Sequence, residues 1–160
     1  MAYIKFEGLK KVRQKYKNKK VVFCSGSFDL LHAGHILFLE DCKALGDILV
    51  IGIGSSRSIQ KYKSKAPIIN EVMRIKMLDS LRVVDYVFLD LTNNILTLLE
   101  QVLPELKPNY YVVNTDAKMI PDRKKVAKHY GIKMITLERK CPPEYKNIST
   151  TNIINKIRNS

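Results

Sequence analysis

A doubly wound α/β fold, with one five-stranded parallel sheet and helices on both faces, is what this sequence predicts. Three observations carry the prediction. Five short, nearly continuous apolar runs, rich in β-branched and aromatic residues, recur along the chain, as strands buried on both faces require. Amphipathic helical stripes separate those runs, which implies right-handed crossovers. The glycine-bearing and basic segments follow the runs, on the side where such sheets bind ligands. The 160 residues suit a single domain spanning 1–160, and no internal repeat or boundary divides them.

Residues 1–19 are basic and polar and are expected to form a short helix capping the sheet. Strands are expected at Lys20–Cys24, Asp47–Ile53, Asp85–Leu89, Tyr110–Asn114 and Lys133–Leu137. Ile36, Leu39, Cys42 and Leu45 mark one helix, Ile75, Leu78 and Leu81 a second. Ile95, Leu98, Leu99 and Val102 give a third its i, i+3, i+4, i+7 stripe. Pro121 and Asp122 suit the first turn of a fourth helix, which Gly131 ends. Ser149 is the expected N-cap of a last helix through Ile153, Ile154 and Ile157.

Composition narrows the class. Apolar residues make up 46% and charged residues 27%, which describes a folded domain and not a disordered chain. The longest apolar run, Ile48 to Ile53, is far too short for a bilayer span, so no membrane is expected. The N-terminus lacks the apolar core of a signal peptide, and three cysteines without metal-ligand spacing read as free thiols, hence a cytoplasmic protein. The net charge of +13 gathers at Lys10–Lys20, Lys61–Lys65 and Arg123–Lys128. Each run reads either as a solvated face or as a field for anionic partners. No base-reading motif or stacking platform accompanies them, so small polyanions are preferred to nucleic acid.

The chemistry concentrates in Gly26-Ser-Phe-Asp-Leu-Leu-His-Ala-Gly-His35, between the first strand and a helix expected to begin near Ile36. A helix N-terminus offers unpaired N–H groups and partial positive charge to phosphate. Gly26 lets backbone approach an anion, Gly34 removes an obstructing side chain, and His32 and His35 add ring N–H donors. Ser149 and Thr150 start another helix in the same manner. Gly52-Ile-Gly54 lacks the third glycine of a dinucleotide fingerprint and follows the wrong strand.

These residues resemble the His-x-Gly-His nucleotidyltransferases, in particular the cytidylyltransferase-like branch that includes glycerol-3-phosphate and choline-phosphate cytidylyltransferases and heptose-phosphate adenylyltransferases. The likeness runs from about Val21 to Ile157 and rests on Gly26–His35, Leu45–Val50, Arg82–Val87 and Ile148–Thr151. It implies a Rossmann-like fold and transfer of a nucleotidyl group from a nucleoside triphosphate to a phosphorylated small molecule, with Mg2+ as cofactor and no metal ligand assigned to the chain. CTP is favoured by the Ile-Ser-Thr-Thr form. ATP, as in heptose-phosphate or flavin adenylyltransferases, is the alternative, and a non-catalytic nucleotide- or RNA-binding module a further one. The resemblance assigns catalytic roles to His32, His35, Lys63 and Lys65. It assigns nucleotide binding to Gly26, Ser27, Phe28, Gly34, Asp116, Arg139, Ser149 and Thr150, and acceptor binding to Arg74 and Arg82. It also implies a homodimer in which Arg82 and Asp85 pair across a two-fold contact. Ser55-Ser56 and Asn114-Thr-Asp116 depart from the aspartate and the Gly-Asp pair of relatives, which points to an altered pocket and an acceptor unlike glycerol phosphate or heptose phosphate.

Overall fold

The computed structural model describes residues 3–140, 142–145 and 149–160. Ile148, named above, and Cys141, the third cysteine, lie outside the described residues. Six parallel strands form one sheet: β1 (Tyr3–Ile4), β2 (Val21–Gly26), β3 (Ile48–Gly54), β4 (Tyr86–Asp90), β5 (Tyr110–Asn114) and β6 (Lys133–Leu137). Their order is β1-β4-β3-β2-β5-β6. The five expected strands are present, and the sixth corrects the count. Strand β1 joins the edge through Tyr3 opposite Val87 and Ile4 opposite Phe88. Two residues are too few to show an alternation. The expected capping helix shrinks to α1 (Leu9–Lys15), whose Leu9 and Val12 are buried.

Alternation along β2 divides the core. Val21 and Phe23 face a layer formed with α1, α5 (Ile95–Leu106) and α6 (Ile120–His129). Val22 and Cys24 face the other, with α2 (Ala33–Ala44) and α4 (Glu71–Asp79). Cys24 and Cys42 are both free thiols at 0% exposure, as small core residues. Phe23 stacks between Phe88, at 6.1 Å, and Tyr111, at 5.5 Å. Gly52 makes room for that stack, because a Cβ there would sit 2.8 Å from the Phe88 ring.

Two local departures have clear causes. The sequence predicts no helix directly after the second strand, yet Ser56–Lys63 form α3, capped by Ser55 Oγ accepting from Ser58 N at 3.1 Å. A polar sequence with Ile59 as its one fully inward apolar anchor hides this helix from periodicity. Helix α2 starts at Ala33, not near Ile36, so His32 is its N-cap and His35 lies in its first turn. Gly131, at φ +69, ends α6 in the left-handed region, as its position predicts.

Asp85, expected to pair across a two-fold contact, is engaged within its own chain. Its Oδ2 accepts Lys43 Nζ at 2.5 Å and Leu49 N at 2.7 Å.

Candidate active site

The strand order reverses between β2 and β5, and the crevice at their carboxyl ends is where a parallel sheet binds ligands. The turn after β2 enters it under strain. Phe28 and Leu30 have φ of +45 and +46, a conformation that costs energy for residues bearing a Cβ and persists only when neighbours enforce it. Two side chains do so. Asp29 Oδ1 accepts Leu30 N at 3.1 Å and Ile69 N at 2.9 Å, and its Oδ2 accepts Ile68 N at 2.9 Å. Arg74 donates from Nε to Ile69 O at 2.9 Å and from Nη1 to Ser27 O at 2.7 Å. Gly26 fits beneath, since a Cβ there would lie 2.9 Å from the Phe28 ring.

His32 and His35 stack with ring centroids 3.9 Å apart, and the Phe28 ring meets His35 edge-on at 5.4 Å. Burial holds the His35 imidazole down to about 3, reinforced by His32, Arg139 and Lys63 and opposed by Asp29. His32 is lowered in the same way, by burial and then by Arg139. Both rings are therefore neutral near pH 7, each with one N–H. Both Nδ1 atoms are buried without a partner.

Cations surround this pair. Lys63 Nζ donates to Ser27 Oγ at 2.9 Å, and burial pushes its pKa down, with Asp29 pulling the other way. Arg139 reaches the histidines electrostatically while its Nη2 pairs with Asp116 Oδ2 at 2.7 Å. Ser149 Oγ accepts Asn152 N at 3.1 Å and caps α7 (Thr150–Arg158). Gly34 is the second residue of α2.

Four of the expected site residues are engaged elsewhere or stand apart from the histidine pair. Arg74 is 1% exposed and bonded to two carbonyls, so it braces the turn. Arg82 precedes β4 and stands at the amino edge of the sheet, across the length of a strand from the crevice. Thr150 Oγ1 donates to Asp29 O at 2.9 Å, which ties α7 to the turn. Lys65 is exposed two residues beyond α3, apart from the Lys63–Ser27 contact.

Sequence reasoning passed over Asp29, although it sits inside the His-bearing turn. Its signal was available: aspartate beside a glycine-bearing turn commonly binds backbone N–H groups. Lys118, which lies over the Tyr62 ring at 5.2 Å and acts on Lys63, carried no such signal.

Among the described residues no three His, Cys, Asp or Glu side chains converge as a metal cage. Asp29 has its oxygens occupied by three N–H groups. Magnesium needs no such cage, since it is bound through one or two carboxylates together with substrate phosphates.

Two neutral histidines stacked at a helix start, with a lysine and an arginine acting on them near the switch point of a parallel sheet, make an α/β protein with donors suited to phosphate. The cytidylyltransferase-like family model matches residues 23–156, and the chain belongs to that family of nucleotidyltransferases. It is 37% identical over 150 residues to the bifunctional protein HldE of Geobacter metallireducens, covering 90% of this chain and 28% of that one. HldE of Desulfatibacillum aliphaticivorans is 31% identical over 147 residues, covering 89% and 28%. The chain thus spans about a quarter of the length of these curated relatives. Among solved structures, a lipopolysaccharide core biosynthesis protein from Thermoplasma volcanium superposes with a TM-score of 0.65 at 29% identity, covering 76% of this chain and 98% of that one. Pantoate-beta-alanine ligase from Francisella tularensis, at 20% identity and TM-score 0.67 over 100% and 78%, shares the fold. No helix among the described residues is long and apolar enough to cross a membrane.

Proposed function

We propose that this chain transfers the adenylyl group of ATP to a sugar phosphate and releases pyrophosphate. The observation that carries the transfer itself is the stacked, part-buried pair His32 and His35 at the start of α2, with Lys63 and Arg139 acting on it. The HldE relatives, whose adenylyltransferase domains are the matching kind, support ATP over the CTP favoured by the Ser-Thr-Thr segment alone.

The acceptor's phosphate oxygen is already ionised at neutral pH and needs no general base. It attacks the α-phosphorus, the bond to the bridging oxygen breaks, and the electron pair leaves with pyrophosphate. The obstacle is bringing two polyanions together and holding the charge that grows on the phosphoryl oxygens. Neutral imidazole N–H groups at His32 and His35 donate to those oxygens without first being stripped of a counter-ion. Lys63 and Arg139 supply the positive field. The N-terminal N–H groups of α2, with those of Ser27 and Phe28, add fixed donors that need no reorganisation. Magnesium bound to the triphosphate would neutralise part of its charge.

A pyrophosphate-release assay with ATP and CTP against phosphorylated sugars, alditols and amino alcohols tests this reading. ATP-dependent release with a sugar phosphate is expected. Release with CTP alone would return the nucleotide to cytidine, and no release with any pair would overturn the transferase reading.

A further inference from the structure

A cavity of about 120 Å3 opens beside the histidine turn, at the carboxyl ends of β2, β3 and β4. It shares Gly26, Ser27 and Lys63 with the site above and extends away from the histidines to Arg123 on α6. Arg123 belongs to the basic run Arg123–Lys128, which includes residues on the solvent face of α6, yet it is only 7% exposed. Its Nη1 donates to Tyr111 Oη at 3.0 Å, and its Nε is buried with no acceptor. Among the described residues no carboxylate lies within 4.0 Å of this guanidinium.

A guanidinium stays charged at any ordinary pH. Buried without a counter-charge it is among the more expensive groups a fold can hold. Tyr111 gives no compensation, because burial pushes its phenol toward the neutral form. Asp90, the carboxylate in the cavity lining, has Oδ1 bound to Thr92 N at 2.7 Å, and burial raises its pKa. The nucleotide's phosphates already have Lys63, Arg139 and the histidines, so Arg123 is surplus to the reaction centre.

We propose that this cavity seats an anionic oxygen group, phosphate or carboxylate, carried by the acceptor at a position remote from its reacting phosphate, and that Arg123 selects acceptors bearing it. The proposal rests on the transferase reading. Ser27, Thr92 and Asn93 stand around the cavity as additional hydrogen-bonding groups, while Ile59, Ile95 and Leu98 give it apolar walls. That mixture, a few polar groups in an otherwise apolar recess, is what orients a small ligand.

The direct test follows the Arg123 Nε–H resonance of the 15N-labelled full chain, assigned by its loss in Arg123→Lys, during titration with inorganic phosphate or malonate. A saturable shift is expected, and the tighter of the two anions identifies the group. The kinetic test compares acceptors with and without a second anionic group. Arg123→Met should raise KM for the former by about ten- to a hundredfold, as loss of a charged hydrogen bond predicts. Turnover and nucleotide KM should stay within about threefold. Acceptors lacking the second anion should be unaffected, and Arg123→Lys should recover part of the loss. A resonance indifferent to both anions, or equal effects on both acceptor types, overturns the proposal. A shift without any nucleotidyl transfer keeps the cavity and removes the transferase reading, whereas transfer with a silent resonance removes the cavity alone.

Discussion

Two imidazoles stacked 3.9 Å apart resist protonation, through burial first and Arg139 beside them, with His32 and Lys63 adding to the effect at His35. A neutral ring keeps an N–H to give and brings no like charge against its neighbour. The unfolded chain protonates His35 near its ordinary value of 6.5, while the folded chain does so only at about 3. Between those values the unfolded state binds the extra proton, so stability is complete above about pH 6.5 and is lost as pH falls toward 3. Thermal melts from pH 7 to 5 should therefore slope less in His35→Asn than in the parent. Equal slopes would mean that His35 is not held neutral. In the same residue, His35→Ala should lower turnover on the order of a hundredfold, since a donor aimed at transition-state charge acts there above all. Steady-state pyrophosphate release measures it, and a change within about twofold would remove His35 from the chemistry.

The elements that make the site are joined by Asp29 and Arg74, and here the limits of sequence become physical. Strands β2 to β6 and the stripe of α5 were legible because burial on one or both faces leaves a periodic trace. The Ser149 cap was legible because capping is local. Helix α3 was not, since its polar residues face solvent and only Ser58 and Ile59 are buried. Nor was the fate of Arg74, because a long-range bond from α4 to the Ser27 carbonyl has no signature in residue spacing. Arg123 and Lys128 look alike in the sequence, yet α6 turns one into the protein and the other out. Asp29 binds three backbone N–H groups from two segments, so Asp29→Ala should destabilise the fold by about 2–3 kcal/mol and release the turn. Urea unfolding reads the first effect and nucleotide KM the second. Unchanged stability would show that solvent satisfies those N–H groups, and the brace would then be Arg74 alone.

At the scale of the whole molecule the question is what a net charge of +13 serves. Much of it lies on α1 and the segment up to Lys20, at the amino side of β2, while Lys63, Arg74, Lys118, Arg123 and Arg139 gather near the carboxyl edge. The second group has Asp29, Asp90 and Asp116 among it, which leaves a local surplus suited to a triphosphate and an acceptor phosphate meeting in one crevice. Asp85 cannot be used to probe assembly, because Asp85→Arg would set a second cation against Lys43 within the fold. Charge can be probed by salt instead. A field that steers small polyanions predicts that raising ionic strength from about 50 to 200 mM lowers kcat/KM for the nucleotide, as screening shortens from roughly 14 Å to 7 Å. Duplex and single-stranded nucleic acid should bind weakly and release over the same range, because their affinity would come from counter-ion release without base contacts. Sequence-selective binding that survives physiological salt would assign the basic surface to nucleic acid, and an unchanged kcat/KM would deny it a part in capture of the substrate.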